Sequence, residues 1–291
     1  MMDSDDSKLL NRGLDNLSWD KHLRRTFGRR RTLRSARGWA ASQTPGLNTA
    51  IAPSDDMFPW GHPRNYFQTG LGAARCIKSA IERTSIGEPA RVLDLPCGYG
   101  RVLRYLRAFW PNAELVAGEL VPAAVSYCQR TFDAQPLQSS EPVWEADIGG
   151  NYDVIWSGSF LTHFDEDHWQ PTLEHFAKAL SPEGLLVFST LGKRFYHILL
   201  GHPTSAAERA IARMLPNNGL TPAGTEKIVQ SVASAGFGHS RYPDQPDNPY
   251  GLSLSLPEWV ESQIETASGL RLQQHQDGGW GMQDLWIASR A

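Results

Sequence analysis

The chain predicts an α/β fold: a doubly wound, mostly parallel sheet with helices on both faces. Three observations predict it. Short apolar runs alternate with helix-length amphipathic segments between residues 72 and 190. A glycine turn, Gly98-Tyr99-Gly100, follows the apolar run at 91–95 and opens a helical stretch. An acid, Glu119, closes the next apolar run 25 residues after Asp94, which closes the first. Right-handed crossovers wind such units to both sides of one sheet.

In chain order, the spacing predicts a helix over 72–84 with Ala73, Cys76, Ile77, Ala80 and Ile81 on one side. A strand follows at 91–95, a helix at 101–109 broken by Pro111-Asn112, a strand at 114–119 and a helix at 122–132. Residues 143–147 read as a short strand, 152–157 as an apolar strand and 167–180 as a helix. The run Ser181-Pro182-Glu183-Gly184 reads as a turn before a strand at 185–190. Residues 191–256 interrupt the alternation, with helical stretches near 205–214 and 223–235 and a strand-like run at 250–256. An insertion after a strand's C-terminal end is where open α/β folds build substrate pockets. Pro257 suits the first turn of a helix reaching about residue 266. Runs at 270–274 and 284–289, joined across Gly278-Gly279-Trp280-Gly281, read as a closing antiparallel pair.

Composition sets the outer limits. An apolar content of 41% with ten Trp is ample for a full core, and a net charge of −3 gives no general signal for nucleic acid. Cys76, Cys97 and Cys128 form no CxxC pair, so neither a disulfide frame nor a metal site is expected. No apolar run reaches the ~20 residues of a membrane span. Residues 1–8 lack the apolar core of a secretory signal, and the expected location is the cytoplasm.

The sequence divides into a basic extension at 1–45 and a main domain at 46–291. Arg24, Arg25, Arg29, Arg30, Arg31, Arg34 and Arg37 cluster in the extension, interleaved with Leu23, Phe27, Leu33 and Trp39. It reads as a solvated, partly helical or disordered arm. With Trp19 and Trp39 it also admits a weak contact with an anionic membrane surface. The sequence leaves the oligomeric state unspecified.

Four elements carry chemistry. Gly98 and Gly100 lack a Cβ and let a ligand approach bare backbone, while Asp94 ends the strand where it accepts hydrogen bonds from turn amides or a ligand amine. Glu119 is placed to accept two ribose hydroxyls. Asp147 and Ile148 precede a Gly149-Gly150 turn, Asp147 for an adenine amine and Ile148 for the ring face. The run Asp153 to Phe164 ends a strand on small residues, Ser157-Gly158-Ser159, and carries His163 toward the pocket mouth.

Together these elements resemble the class I S-adenosylmethionine-dependent methyltransferases over roughly residues 65 to 291. That family's turn is acidic-x-Gly-x-Gly-x-Gly. Here it reads Asp94-Leu95-Pro96-Cys97-Gly98-Tyr99-Gly100, with Pro96 at the first glycine position. The stretch from Asp94 to Arg104 is similar to a bacterial subgroup associated with glycan and surface-polysaccharide modification. So are Ser54-Asp55-Asp56-Met57, the runs 155–164, 184–192 and 250–260. The subgroup often has Thr-His-Gly after the fifth strand; Thr190-Leu191-Gly192 stands here, and no histidine role carries over. The resemblance implies a Rossmann-like seven-stranded sheet with an antiparallel last strand. It implies S-adenosylmethionine as cofactor, with Glu119 and Leu120 at the ribose and adenine, Asp147 and Ile148 at the adenine, Pro96, Gly98 and Gly100 beneath the methionyl group, Ser157 at the reactive end and Tyr66 as a lid.

The expected activity is methyl transfer to an oxygen of a small molecule or glycan. The cofactor brings an activated methyl group, so the protein's share is alignment and proton removal. His163 is the candidate base, with His197, His239 and Asp56 on flanking segments as weaker ones. Arg101 and Arg104 follow the glycine turn and are candidates for an anionic group, or ordinary surface arginines. Two other readings stand beside this one. A nicotinamide-dependent oxidoreductase uses a similar turn, but no Tyr-x-x-x-Lys follows here. A non-catalytic cofactor-binding protein would act through the basic arm.

Overall fold

The computed structural model describes residues 26–59, 61–84, 86–215, 219–243, 250–267 and 269–291, with side chains from Thr32 onward. Two helices lead in, α1 (Thr26–Gln43) and α2 (Pro63–Thr84). The alternating part follows as β1 (Arg91–Asp94), α3 (Leu103–Phe109), β2 (Glu114–Glu119), α4 (Pro122–Phe132), β3 (Gln135–Gln138), β4 (Tyr152–Ser157), α5 (Trp169–Ala179) and β5 (Leu180–Thr190). Next come α6 (Lys193–Leu199), α7 (Ala206–Met214), α8 (Pro222–Ala235) and a hairpin of β6 (Phe237–Arg241) and β7 (Gly251–Ser255). The chain closes with α9 (Pro257–Thr266), β8 (Leu270–Trp280) and β9 (Gln283–Arg290).

Seven strands form one sheet in the order β3-β2-β1-β4-β5-β9-β8. The first five are parallel, and β9 runs antiparallel to both of its neighbours. The expected fold, with its antiparallel last strand, is the one observed.

Side chains alternate across the sheet with the strand period of two. Val92, Val154, Trp156, Val187, Leu285 and Ile287 face one core with Phe67, Ile77 and Leu106. Leu93, Ile155, Leu186, Phe188, Trp286 and Ala288 face the other, with Trp169, Phe176 and Ile264. Both faces are covered, so the central strands read as continuous apolar runs. Leu191, Phe195, Ile198, Leu220, Ile228, Val232 and Leu254 make a third, smaller core within the 191–256 insertion.

Local chemistry sets the helix ends. Pro122, Pro222 and Pro257 each stand in a first turn, where the missing amide costs nothing. The Thr221 hydroxyl accepts from the Gly224 amide at 3.0 Å, and Gly236 ends α8 at φ 77°.

Several boundaries differ from the sequence reading. The third strand is Gln135–Gln138, not 143–147, where Val143–Glu145 forms a single 3₁₀ turn. Gln135 to Gln138 form an edge strand whose residues are mostly exposed, so they carry little apolar signal. Helix α3 starts at Leu103 because the glycine turn extends through Val102. A 3₁₀ turn, Glu166–His168, precedes α5. Strand β5 begins at Leu180, since Tyr152 already pairs with it there.

The extension is also not a wholly solvated arm. Ala36 and Ala40, four residues apart, are buried against α2. Trp39 carries the Arg64 guanidinium 4.7 Å over its ring. Trp19, Leu23, Arg24 and Arg25 lie outside the described residues, and the side chains of Phe27, Arg29, Arg30 and Arg31 are not described. No helix among the described residues is long and apolar enough to cross a membrane.

Arg104 ties these parts together. It is 1% exposed, and its Nε donates to the Gly100 carbonyl at 3.0 Å. Its Nη1 donates to the carbonyls of Asn48 at 3.2 Å and Ala50 at 2.8 Å, and its Nη2 to the Tyr66 hydroxyl at 3.3 Å. Three rings flank it, Tyr66, Phe67 and Phe132, at 5.2, 5.6 and 5.1 Å. Neither a ligand-binding nor a surface arginine, it is a buried clamp. Removing it strands the buried Gly100 carbonyl, frees the loop at Asn48 and Ala50 and leaves a cavity among three rings, so Arg104→Ala lowers the unfolding free energy by roughly 2–4 kcal/mol. Urea denaturation measures this; a loss below about 1 kcal/mol contradicts the clamp.

Candidate functional site

The glycine turn lies at the C-terminal end of the central strand. Strand β1 pairs with β2 on one side and β4 on the other. Past its end, the Leu95 amide donates to the Trp156 carbonyl at 3.0 Å and the Cys97 amide to the Gly118 carbonyl at 2.9 Å. The backbone is thus stitched to both neighbours before it turns. The Leu95–Pro96 peptide bond is cis.

The two glycines do different work. Gly98 has φ +51°, and nothing lies within 4 Å of where a Cβ would stand. Its bare face is open to a ligand. Gly100 has φ +77°, but a Cβ there would meet the Phe132 ring at 2.4 Å and Cys128 Sγ at 3.3 Å. The structure therefore corrects the expectation that Gly100 faces a ligand: its missing side chain makes room for α4.

Glu119 closes β2 opposite the turn. One carboxylate oxygen accepts from the Gly98 amide at 2.9 Å, the other from the amides of Leu120 at 2.7 Å and Val121 at 3.2 Å. Beside it Leu120 and Val121 are 42% and 38% exposed, an apolar step at a helix start.

Asp94 is 1% exposed, and among the described residues neither carboxylate oxygen makes a well-formed hydrogen bond, the Leu103 amide acting on it only as a weak donor. Burial pushes its pKa well above the carboxylate range, the Arg101 guanidinium opposes this, and the Glu119 charge adds to it. Ser157 Oγ, at the end of adjacent β4, is buried and also unpartnered. Buried polar atoms are normally paired, and these two unsatisfied groups at neighbouring strand ends lie beside the open backbone of Gly98. An amine and hydroxyls from a nucleoside-amino acid suit this set of acceptors, and Gly98 leaves the space. The residues present thus fit S-adenosylmethionine.

Other expected contacts move. The Ile148 side chain is 2% exposed and belongs to the core, so it offers no face to adenine. Asp147 is exposed, and one oxygen accepts from the Gly149 amide at 3.0 Å. A carboxylate keeps further acceptor sites beyond that bond. Tyr66 is no lid. It is 1% exposed, and its hydroxyl donates to Asp55 at 2.6 Å. Arg101 is half-buried and acts electrostatically on Asp94, Asp55 and Tyr66.

His163 lies in a 3₁₀ turn, Leu161–His163, just past β4. Three anchors hold this segment. The Ser159 amide donates to Ser189 Oγ at 2.8 Å, Thr162 Oγ1 to the Ser159 carbonyl at 2.9 Å, and Ser253 Oγ to the Leu161 carbonyl at 2.9 Å. Ser159 itself holds φ +59°, a strained conformation for a residue with a side chain. His163 Nδ1 lies 2.9 Å from the Gly251 carbonyl and 2.9 Å from the Tyr242 hydroxyl. Burial lowers its pKa, so the ring is held neutral. Among the described residues Nε2 has no hydrogen-bond partner.

The weaker base candidates fare differently. His197 is exposed on α6, and Asp56 is exposed in the loop that acts electrostatically on Tyr99 of the glycine turn. His239, half-buried on β6, is pushed down to about 4, chiefly by burial. Sequence reasoning missed Tyr242, Gly251 and Asp55's partnership with Tyr66. Asp55 and Gly251 stood in recognised motifs, but neither motif names a partner, and Tyr242 and Gly251 meet His163 only through the hairpin. No group of three or more His, Cys, Asp or Glu among the described residues is arranged to hold a metal.

Residues 72–232 match the family described as Methyltransferase domain. The chain belongs to that family. Its curated relatives include malonyl-[acyl-carrier protein] O-methyltransferases. The protein from Paenibacillus sp. (strain JDR-2) is 26% identical over 57% of this chain and 62% of its own length. The one from Anoxybacillus flavithermus (strain DSM 21510 / WK1) is 29% identical over 46% and 51%. The chain thus spans between about half and three fifths of these relatives. By their names they act on an acyl-carrier protein rather than a glycan.

Among solved structures, the mitomycin 7-O-methyltransferase superposes with a TM-score of 0.53 at 15% identity, over 90% of this chain and 67% of that one. The 1,6-didemethyltoxoflavin-N1-methyltransferase of Burkholderia thailandensis, solved with S-adenosylhomocysteine bound, gives 0.50 at 15% over 78% and 81%. These likenesses concern the fold of the methyltransferase domain.

The orphaned Asp94 has a consequence for stability. A carboxyl whose pKa rises on folding favours the folded state fully below its unfolded pKa, near 3.8, and loses that contribution as pH rises through the folded pKa. At pH 8, far above the unfolded pKa, burying this carboxyl therefore costs stability. Asp94→Asn unfolds at a higher temperature than the native chain at pH 8, and the difference shrinks as pH falls toward 4. Thermal melts across that range check both the sign and the trend.

Proposed function

We propose that the protein is an S-adenosylmethionine-dependent O-methyltransferase acting on a hydroxyl of a small molecule or glycan precursor. The observation that carries the reading is the cradle at the ends of β1, β2 and β4: open backbone at Gly98, the Glu119 carboxylate fixed beside it, and the unpartnered Asp94 and Ser157. In this reading Glu119 accepts the ribose hydroxyls and Leu120 faces the adenine, with Asp147 accepting from its amine. Asp94 takes the methionyl ammonium, and Pro96 and Gly98 line the methionyl side. Family membership and the O-methyltransferase relatives support the same reading.

The bound cofactor supplies a methyl group on a sulfonium, already activated for in-line attack. The chain's residues do the rest. The segment past β4 brings the acceptor within reach of the methyl carbon, and His163 Nε2 takes the proton of the acceptor hydroxyl. Burial keeps the imidazole neutral and ready for that proton. A carboxylate acceptor needs no such base, and this favours a hydroxyl. The relatives' names favour the other case, a carboxyl presented on a carrier protein.

A thermal-shift titration separates S-adenosylhomocysteine from NAD: the former raises the melting temperature and the latter does not. Stabilisation by NAD alone overturns the reading in favour of an oxidoreductase. Glu119→Ala weakens S-adenosylhomocysteine at least about tenfold, the loss of one charge-assisted hydrogen bond. A screen of labelled methyl transfer to sugars, lipid-linked glycans and malonyl-acyl-carrier protein identifies the acceptor. On a hydroxyl acceptor, His163→Gln lowers kcat by about 10²–10⁴-fold while leaving cofactor affinity unchanged.

A further inference from the structure

Both partners of His163 Nδ1 come from the β6–β7 hairpin, one from each side of it. Gly251 opens β7, and Tyr242 directly follows β6. A carbonyl oxygen only accepts, so the 2.9 Å contact with Gly251 needs the ring hydrogen on Nδ1. That tautomer leaves the lone pair on Nε2, the position a base needs. Facing an Nδ1–H, the Tyr242 phenol oxygen at 2.9 Å is a second acceptor. Were the phenol the donor instead, two lone pairs would meet between Nδ1 and the Gly251 carbonyl.

The backbone is built for this approach. A Cβ on Gly251 would lie 2.1 Å from the Ser240 carbonyl and 2.5 Å from His239 Nε2, so only glycine brings that carbonyl to the ring. Strands β5 and β7 pack against the His163 turn, and no charged group acts on the ring from either. Tyr242 is the titratable group that faces it. Burial raises the phenol to about 12, so it stays neutral.

We infer that Tyr242 is a positioning residue: with the Gly251 carbonyl it holds the His163 proton on Nδ1, making the strength of the Nε2 base depend on how the β6–β7 hairpin is seated. This rests on the reading of His163 as the base. In the step it serves, a bound cofactor would yield its methyl carbon to the acceptor oxygen while its sulfur keeps the bonding pair. The hydroxyl proton passes to Nε2, and the imidazolium formed shares its Nδ1–H between two oxygens.

The spectroscopic test needs no acceptor; only the turnover check on His163→Gln uses the acceptor identified by the methyl-transfer screen. In the full chain labelled with ¹⁵N-histidine, long-range ¹H–¹⁵N spectra report tautomer and protonation at each ring nitrogen, with His163→Gln assigning the resonance. At pH 8 His163 shows a protonated Nδ1 and a bare Nε2. In Tyr242→Phe, which keeps the ring, the proton affinity of His163 falls about three- to tenfold and an Nε2–H population appears. An unchanged thermal shift with S-adenosylhomocysteine confirms that this variant is folded. An Nε2–H tautomer in the native chain, or an unaltered titration and tautomer in Tyr242→Phe, overturns the inference. Failure of the base reading shows separately, as full turnover in His163→Gln with the spectra of the native chain as stated.

Discussion

Arg104 donates hydrogen bonds to the end of the glycine turn, to two carbonyls of the loop before α2, and to a tyrosine on α2. A guanidinium suits this position because its donors fan out in one plane and it stays charged when buried. The segments it joins are far apart in sequence and have no strand pairing to align them. The turn's geometry, the loop's path and the seat of α2 therefore depend on one another. Tyr66 extends the network to Asp55, whose second oxygen accepts from the Met57 amide at 3.1 Å. The loop across the front of the sheet is thereby fixed to the turn.

The site is the opposite case, a place where satisfaction is withheld. Asp94 and Ser157 lie in the most buried part of the sheet without partners. A structure selected for stability alone would pair or replace them. Their neighbours show that the chain can satisfy buried polar groups. Thr190 Oγ1 accepts from the Trp286 indole at 2.9 Å, and Asp284 accepts from the Gly278 amide at 2.9 Å. Other buried polar atoms without partners, such as Trp169 Nε1 and Tyr105 OH, are scattered through the fold, but Asp94 and Ser157 are the two at the ends of β1 and β4, beside the open backbone of Gly98.

The sheet was legible in the sequence because two-sided burial writes itself as apolar runs: 91–95, 114–119, 152–157 and 185–190 all proved to be strands. Edge strand β3 was not, since Gln135 to Gln138 bury little. The N-terminal helix was legible as partly helical, but its docking was not, because Ala36 and Ala40 give a small hydrophobic signal among many arginines. Asp94, Gly98 and Glu119 were legible through the order of strand, turn and acid. Ile148, Tyr66 and Gly100 were placed in the right neighbourhood but face inward, and a one-dimensional pattern carries no information on facing. Tyr242 and Gly251 reach His163 across 79 and 88 residues, and only the folded hairpin brings them there.

The Glu119 carboxylate is already held by three backbone amides before any ligand arrives. Its rotamer is therefore chosen in the free protein, and a ligand meets it without a further loss of side-chain freedom. The same grip leaves further acceptor sites of the carboxylate open at the end of β2. In the proposed reading a ribose with free hydroxyls meets those sites with donors, whereas one phosphorylated at the same position brings only acceptors. On that reading the site would favour unphosphorylated nucleosides through one side chain that the fold itself holds still.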